Sequence, residues 1–116
     1  MSMQDKAREN MLNCQLSTNG IVDPNVLEIM EQTPRELFLP DQFHSIAYCD
    51  EDLLLEGSSF LMDPLVFAKM LQSALIQQDD IVLNLGDTTG YSSAVLSALV
   101  TTVVVLEDKI GILDRA

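Results

Sequence analysis

Two short apolar runs separated by a segment of helical spacing form the clearest pattern in the chain. Residues 81–85 read Ile-Val-Leu-Asn-Leu, and residues 103–106 read Val-Val-Val-Leu. Runs of this kind are typical of parallel strands that are buried on both faces. Between them, apolar residues recur with helical spacing, at Tyr91, Ala94, Val95, Ala98 and Leu99. The pattern predicts a strand, a helix and a second parallel strand, and therefore an α/β fold.

The first 80 residues predict helices instead. Helical spacing from Ala7 onward predicts a helix from Met3 to Leu16. Asp23-Pro24 and Asp63-Pro64 each place an acidic N-cap before a proline at the first helical position, which predicts two further helices. Their predicted buried stripes are Val26, Leu27 and Met30 in the first, and Leu65, Ala68, Leu71 and Leu75 in the second.

The remaining segments carry weaker signals. Thr33-Pro34-Arg35-Glu36 has the spacing of a capping box and predicts a short helix that Pro40 ends. Residues 41–59 are predicted to be irregular, with a turn at 57–59, and a last helical piece is predicted from Lys109 to Arg115. The fold class is thus α/β: a helical N-terminal section at 1–80, then an incomplete βαβ unit at 81–116, in one domain overall.

The turn after the first strand contains the chemistry that the chain suggests most clearly. Gly86 and Gly90 tolerate positive φ and leave room for a ligand to approach the backbone. Glu107 follows the second strand, and the ends of neighbouring parallel strands lie side by side, so its carboxylate is expected to reach a ribose at the turn. The alternative is an ordinary strand-turn-helix with a surface glutamate.

The spacing of the glycines narrows the choice of nucleotide. The dinucleotide pattern G-x-G-x-x-G fails, because Thr88 and Tyr91 stand at two of its glycine positions, and no lysine is present for a P-loop. The spacing G-x-x-x-G matches the G-x-G-x-G turn of S-adenosylmethionine enzymes with two of three glycines. The predicted cofactor-binding residues are Gly86, Asp87, Thr88, Thr89, Gly90, Tyr91 and Glu107. Asp87 is a candidate for the amino group of the cofactor, and Tyr91 either lies beside the cofactor or packs in the core.

Composition limits the partners. Lys and Arg total 6 against 18 Asp and Glu, and the net charge of −12 disfavours nucleic acid and membrane surfaces. Cys14, Cys49 and the single His44 form no metal-ligand or disulfide pattern, and no metal site is predicted. Asp50-Glu51-Asp52 is expected to be a solvated loop. With no apolar run near the ~18 residues of a membrane span and no signal peptide, the expected location is the cytoplasm.

Several segments together resemble one known family. Residues 19–28, 33–40, 47–52 and 82–91 resemble the N-terminal half of the protein-L-isoaspartate O-methyltransferase family in order and spacing. The resemblance implies a helical section before a Rossmann-like methyltransferase sheet, and methylation of isoaspartyl carboxylates in damaged proteins or peptides. It also implies S-adenosylmethionine as the methyl donor, with its methionine part at Gly86–Gly90 and its ribose at Glu107.

The sequence departs from the family at three places. Thr88 replaces the middle glycine of the turn, which would cost about 1–3 kcal/mol if that residue needs positive φ. Met62 stands two residues before Pro64, where the family has a hydroxyl residue at the meeting point of substrate and methyl donor; packing is its expected role. The family sheet continues for several strands, whereas this chain has two. The sequence is therefore expected to be a fragment, a truncated or degenerate relative, or a chain whose sheet another chain completes. The alternative function is a catalytically inactive interaction module that pairs its open strand edge with another copy or chain.

Overall fold

The first helix forms where the sequence predicts it but changes its winding. A computed structural model describes residues 2–55, 57 and 59–106. Helix α1 (Met3–Asn10) begins with a capping box, in which the Ser2 hydroxyl accepts from the Asp5 N–H and the Asp5 carboxylate accepts from the Ser2 N–H. The chain continues through a π-helical segment (Met11–Leu16) and a 3₁₀ turn (Ser17–Asn19), which Gly20 ends at φ 93°. The predicted helix is confirmed.

The two Asp-Pro signals also mark helices. In α2 (Pro24–Gln32) and α3 (Pro64–Ser73), the preceding aspartate side chain accepts a backbone N–H two residues later. The predicted stripes lie on the core side, with Val26, Met30, Ala68 and Leu71 buried and Leu27 and Leu65 partly buried. Leu75 is the exception, because it lies beyond the end of α3 with φ 51° and is 75% exposed.

The segment from Thr33 to Leu61 differs from the prediction. The predicted short helix forms as a 3₁₀ helix, Arg35–Phe38, but without the capping box. The Thr33 hydroxyl donates to the Ile29 carbonyl of the preceding helix and accepts no backbone N–H within the described residues. A second 3₁₀ helix covers Asp41–Ile46. Strands β1 (Leu53–Leu54) and β2 (Phe60–Leu61) pair as an antiparallel hairpin. Residues 41–59 are therefore more regular than predicted.

The βαβ unit is confirmed. Strand β3 (Ile81–Leu85) pairs in parallel with β4 (Thr102–Leu106), from Ile81 opposite Thr102 to Leu85 opposite Leu106, and helix α4 (Tyr91–Leu99) connects them. The prediction that both strand faces are buried is wrong. Ile81, Leu83 and Leu85 are 76%, 55% and 67% exposed, because the helices of the described residues cover only the side of Val82 and Val103.

The hydrophobic core lies among the helices and at the start of α4. It combines the N-terminal helices with the βαβ helix: Met11, Leu16, Ile21, Val26, Met30, Ala68, Leu71, Tyr91, Val95 and Leu96 are among its buried members. Glu107 and the helix predicted at Lys109–Arg115 lie outside the described residues. None of the helices described is long and apolar enough to cross a membrane.

Candidate functional site

The turn after β3 depends on its two glycines. Gly86 and Gly90 have φ values of 75° and 91°, in the left-handed region that favours glycine. The Gly86 N–H donates to the Leu106 carbonyl at 2.9 Å, which holds the turn against the end of β4. Thr88 does not share this conformation, since Leu75 is the only non-glycine residue with positive φ in the described part. The backbone strain considered for Thr88 is therefore absent.

Asp87 closes the turn onto helix α4. One of its carboxylate oxygens accepts from the Gly90 N–H at 3.0 Å, and the other accepts from the Ser93 N–H at 3.0 Å and from the Ser93 hydroxyl. These bonds satisfy donors at the helix N-terminus that have no intrahelical acceptor. Thr89 adds another, since its hydroxyl accepts from the Tyr91 N–H at 3.1 Å. Asp87 is thus a structural anchor of the turn.

Other polar groups of the turn are left open. In the described residues, the backbone N–H groups of Asp87, Thr88 and Thr89 take part in no hydrogen bond. The Thr88 hydroxyl oxygen is buried and has no hydrogen-bond partner in the part of the chain that the structure describes. A Cβ at Gly86 would have no atom of residues 2–55, 57 and 59–106 within 4 Å, so these residues leave the space beside Gly86 free. Open amides and free space are what a ligand with hydrogen-bond acceptors requires.

A cavity of about 430 Å³ lies over the turn. This volume is within the range of small-molecule sites. Its polar wall is formed by residues 84–89, and its apolar wall comes from the hairpin and α3: Phe60, Leu61, Met62, Phe67 and Met70. Asn84 lies between the walls and donates to the hydroxyls of Ser92 and Ser93. The arrangement suits a ligand that is polar at one end and apolar at the other.

Tyr91 belongs both to the core and to the cavity wall. Its side chain is 1% exposed and packs edge-on against Phe38, with ring centroids 5.7 Å apart, and against Phe67 at 5.6 Å. Burial raises the pKa of the Tyr91 hydroxyl, and the positive charge of Arg35 opposes that shift. The hydroxyl has no hydrogen-bond partner in the described part of the chain.

Arg35 is a residue of this region that the sequence did not single out. Its side chain is fully buried, and its guanidinium lies 5.0 Å from the centre of the Tyr91 ring. Nε donates to the Ala47 carbonyl at 2.7 Å, and Nη2 donates to the Met62 carbonyl at 3.1 Å. Arg35 therefore contacts two residues of the cavity wall, Met62 and Tyr91, and joins Met62 to Ala47. The Pro34–Arg35–Glu36 segment predicts a helix and contributes to the family resemblance, but nothing local in it indicates that Arg35 is buried.

The other candidate features lie elsewhere. A hollow of about 550 Å³ between α2, the end of α3 and α4 is larger, but it contains none of the turn residues. His44 is partly buried, 3.0 Å from the Leu39 carbonyl, and does not line the cavity. Asp50, Glu51 and Asp52 are exposed, as expected of a solvated loop. Within the described residues no cluster of His, Cys, Asp or Glu could hold a metal ion, and both cysteines are free.

Comparison with known proteins decides the family. The family model of protein-L-isoaspartate(D-aspartate) O-methyltransferase matches residues 7–115. The chain belongs to this family. It is 38% identical over 104 residues to protein-L-isoaspartate O-methyltransferase 2 of Pelobacter propionicus, covering 90% of this chain and 46% of the relative. The enzyme of Koribacter versatilis is 39% identical over 103 residues, covering 89% and 46%.

Solved structures support the fold. A protein-L-isoaspartate O-methyltransferase structure superposes with a TM-score of 0.71 at 27% identity, covering 86% of this chain and 33% of that one. A Plasmodium falciparum protein described as a member of the same family, solved with S-adenosyl-L-homocysteine, has a TM-score of 0.72 at 17% identity, covering 98% and 53%. The fold is thus an incomplete Rossmann-like methyltransferase fold. The chain spans about half the length of the relatives it matches.

Proposed function

We propose that the cavity over Gly86–Gly90 binds S-adenosylmethionine, and that the chain takes part in methyl transfer to isoaspartyl carboxylates of proteins or peptides. The observation that carries the proposal is the glycine turn, with its open backbone amides and free space, in a chain of the isoaspartate methyltransferase family. The amides of Asp87, Thr88 and Thr89 would hold the amino-acid part of the cofactor. Glu107, which directly follows β4, is proposed to bind the ribose.

The residues present fit such a reaction without an acid–base group. When bound, S-adenosylmethionine supplies an activated methyl group, so the protein has chiefly to align the nucleophile with it. An ionised carboxylate is already a nucleophile. The wall opposite the turn, with Phe60, Met62 and Met70, would exclude water and position the acceptor. Met62 offers no hydroxyl where the family has one, and we propose that this lowers the rate of transfer.

Binding is tested with S-adenosylhomocysteine by isothermal titration calorimetry. Gly86→Ala is expected to weaken binding by tenfold or more, since its new methyl group enters the free space beside the turn. Gly20→Ala is a matched control, because Gly20 also has positive φ with nothing near its Cβ position but lies away from the cavity. A folded wild-type chain that gives no heat at millimolar ligand contradicts the proposal.

Activity is tested with radiolabelled S-adenosylmethionine and a pair of peptides that differ only in one isoaspartyl or aspartyl residue. We expect slow transfer to the isoaspartyl peptide alone, and faster transfer by Met62→Ser. Met70→Ser is the control, because Met70 also lines the cavity but does not precede Pro64. An equal effect of both serines, or none, contradicts the role proposed for Met62.

A second candidate function is a non-enzymatic interaction module. It is favoured by the apolar face of β3 and β4, which the described residues leave exposed at Leu83, Leu85 and Val104. In this alternative, the face and the strand edges bind a second copy of the chain. Methyl transfer by the wild-type chain excludes a purely structural role, and a folded chain that stays monomeric excludes pairing with a second copy.

A further inference from the structure

Arg35 carries a buried charge that the described residues do not neutralise. Its side chain is 0% exposed, and it is the only charged residue among those described that is buried. No carboxylate of residues 2–55, 57 and 59–106 lies within 4.0 Å of its guanidinium, and Nη1 has no hydrogen-bond partner there. Burial of a charge without a counter-ion is unfavourable because the ion loses its hydration. The chain has three times as many acidic as basic residues, 18 against 6, so acidic partners are not scarce.

The position of this charge relates it to the cavity. The guanidinium is bonded to the Met62 carbonyl and lies 5.0 Å from the centre of the Tyr91 ring, and both residues line the cavity. Tyr91 adds a second polar group, since its hydroxyl is buried with no hydrogen-bond partner of good geometry among the described residues, and the charge of Arg35 acts on it. Two polar side chains in contact with each other, each at least 99% buried, therefore lie at the same place: Tyr91 in the cavity wall and Arg35 behind it.

The lining of the cavity leaves this charge available to a ligand. Asp87 is its one acidic residue in the described part, and both its carboxylate oxygens already accept hydrogen bonds from Gly90 and Ser93. Charge interactions are stronger at a given distance in a protein interior than in water, so a cation one side chain behind the wall still acts on an anion in the cavity.

We propose that Arg35, together with Tyr91, is the counter-charge for a carboxylate bound in this cavity, that of the amino-acid part of S-adenosylmethionine. The inference rests on the proposed function. The amino-acid part is the candidate because Tyr91 directly follows Gly90, the last residue of the turn where that part is proposed to bind. Arg35 does not line the cavity and is a positioning residue, which acts through Tyr91 and Met62.

The test compares two ligands that share the thioadenosine part. S-Adenosylhomocysteine has the carboxylate, and 5′-methylthioadenosine lacks the amino-acid part. Arg35→Met is expected to weaken binding of the first by about tenfold and of the second by less than about twofold. Arg35→Lys, which keeps the charge, is expected to retain most of the wild-type affinity for S-adenosylhomocysteine. A purely structural role of Arg35 would weaken both ligands equally, and that result overturns the inference.

Tyr91→Phe keeps the test decisive if Arg35→Met fails to fold, as circular dichroism would show. It removes only the hydroxyl, and we expect a selective loss of S-adenosylhomocysteine binding; equal loss or no loss overturns the inference. A further measurement is the binding of an isoaspartyl peptide to the protein saturated with S-adenosylhomocysteine. If Arg35→Met weakens binding of this peptide but leaves the ratio of the two nucleoside affinities unchanged, the charge serves the methyl acceptor and the inference is overturned. A wild-type chain that binds neither nucleoside overturns the proposed function as well.

Discussion

The hydroxyl of Tyr48 connects α1 to the 3₁₀ helix that carries Arg35. It donates to Glu36 Oε1 at 2.6 Å and accepts from the Arg35 N–H at 3.0 Å and from Arg8 Nη1 at 3.1 Å. Burial, followed by the hydrogen bond to Glu36, raises the pKa of Tyr48 to about 12. This hydroxyl therefore stays protonated in the folded chain at a pH where a free tyrosine ionises.

The shift predicts how stability changes at alkaline pH. Because the folded pKa lies above the unfolded value near 10, the stabilisation is complete below about pH 10 and is lost as pH rises toward 12. We expect the free energy of unfolding of the wild type to fall over this window, and to fall less steeply in Tyr48→Phe, which has no hydroxyl to ionise there. Urea unfolding at pH 8 to 12 measures both slopes, and identical slopes contradict the prediction.

Asp87 allows a second prediction at the level of a single side chain. Asp87→Ala removes the acceptors of the Gly90 and Ser93 N–H groups at the start of α4. We expect a loss of about 1–2 kcal/mol in the free energy of unfolding, the usual cost of a missing helix cap. We also expect weaker binding of S-adenosylhomocysteine, because the turn is no longer held.

Thermal unfolding and calorimetry measure the two effects of Asp87→Ala. The control is Asp50→Ala, which removes an exposed carboxylate that forms no hydrogen bond within the described residues and is expected to change neither quantity. Unchanged stability in Asp87→Ala would show that the cap is not formed in solution.

Among the secondary-structure elements, those specified by neighbouring residues were the predictable ones. Asp23 and Asp63 each bond to a backbone N–H two residues away, so the sequence alone locates α2 and α3. The glycine turn follows the same logic, because positive φ at Gly86 and Gly90 is a local requirement. Thr33 shows the limit of such signals. The Thr33 hydroxyl can bond to the helix that follows it, as in a capping box, or to the helix that precedes it. In the structure it donates to the Ile29 carbonyl of the preceding helix.

Features that depend on distant contacts were not predictable in the same way. The apolar run of β3 predicted burial on both faces, yet burial depends on which other segments cover the strand. Arg35 is a similar case, since its burial results from Ala47, Met62 and Tyr91, which are far from it in the sequence. The sequence therefore located the polar half of the cavity but not the charge behind it.

The distribution of burial over the elements predicts where the stability lies. Met30 of α2 is 0% exposed, whereas Leu83 of β3 is 55% exposed. We expect Met30→Ala to lower the free energy of unfolding by about 2–5 kcal/mol, because it leaves a cavity in the core. Leu83→Ala is expected to cost well under about 1 kcal/mol, since little area is buried there. If urea unfolding shows that Leu83→Ala lowers the free energy of unfolding as much as Met30→Ala does, the face of β3 is covered in solution.

At the scale of the whole molecule, two properties oppose each other. Exposed apolar side chains on β3 and β4, among them Leu83, Leu85 and Leu106, favour association of two copies of the 116-residue chain. The net charge of −12 on each copy opposes it. Charge repulsion is screened by salt, whereas apolar burial is not.

The balance predicts salt-dependent self-association. We expect the average mass from multi-angle light scattering to rise toward a dimer between low and high ionic strength. Leu83→Lys should reduce this rise, because it places a charge in the apolar face. Leu37→Lys adds the same charge at a residue that is 73% exposed in the 3₁₀ helix Arg35–Phe38, and is expected to leave the rise unchanged. Equal effects of the two lysines would mean that net charge, and not the face of β3 and β4, controls association.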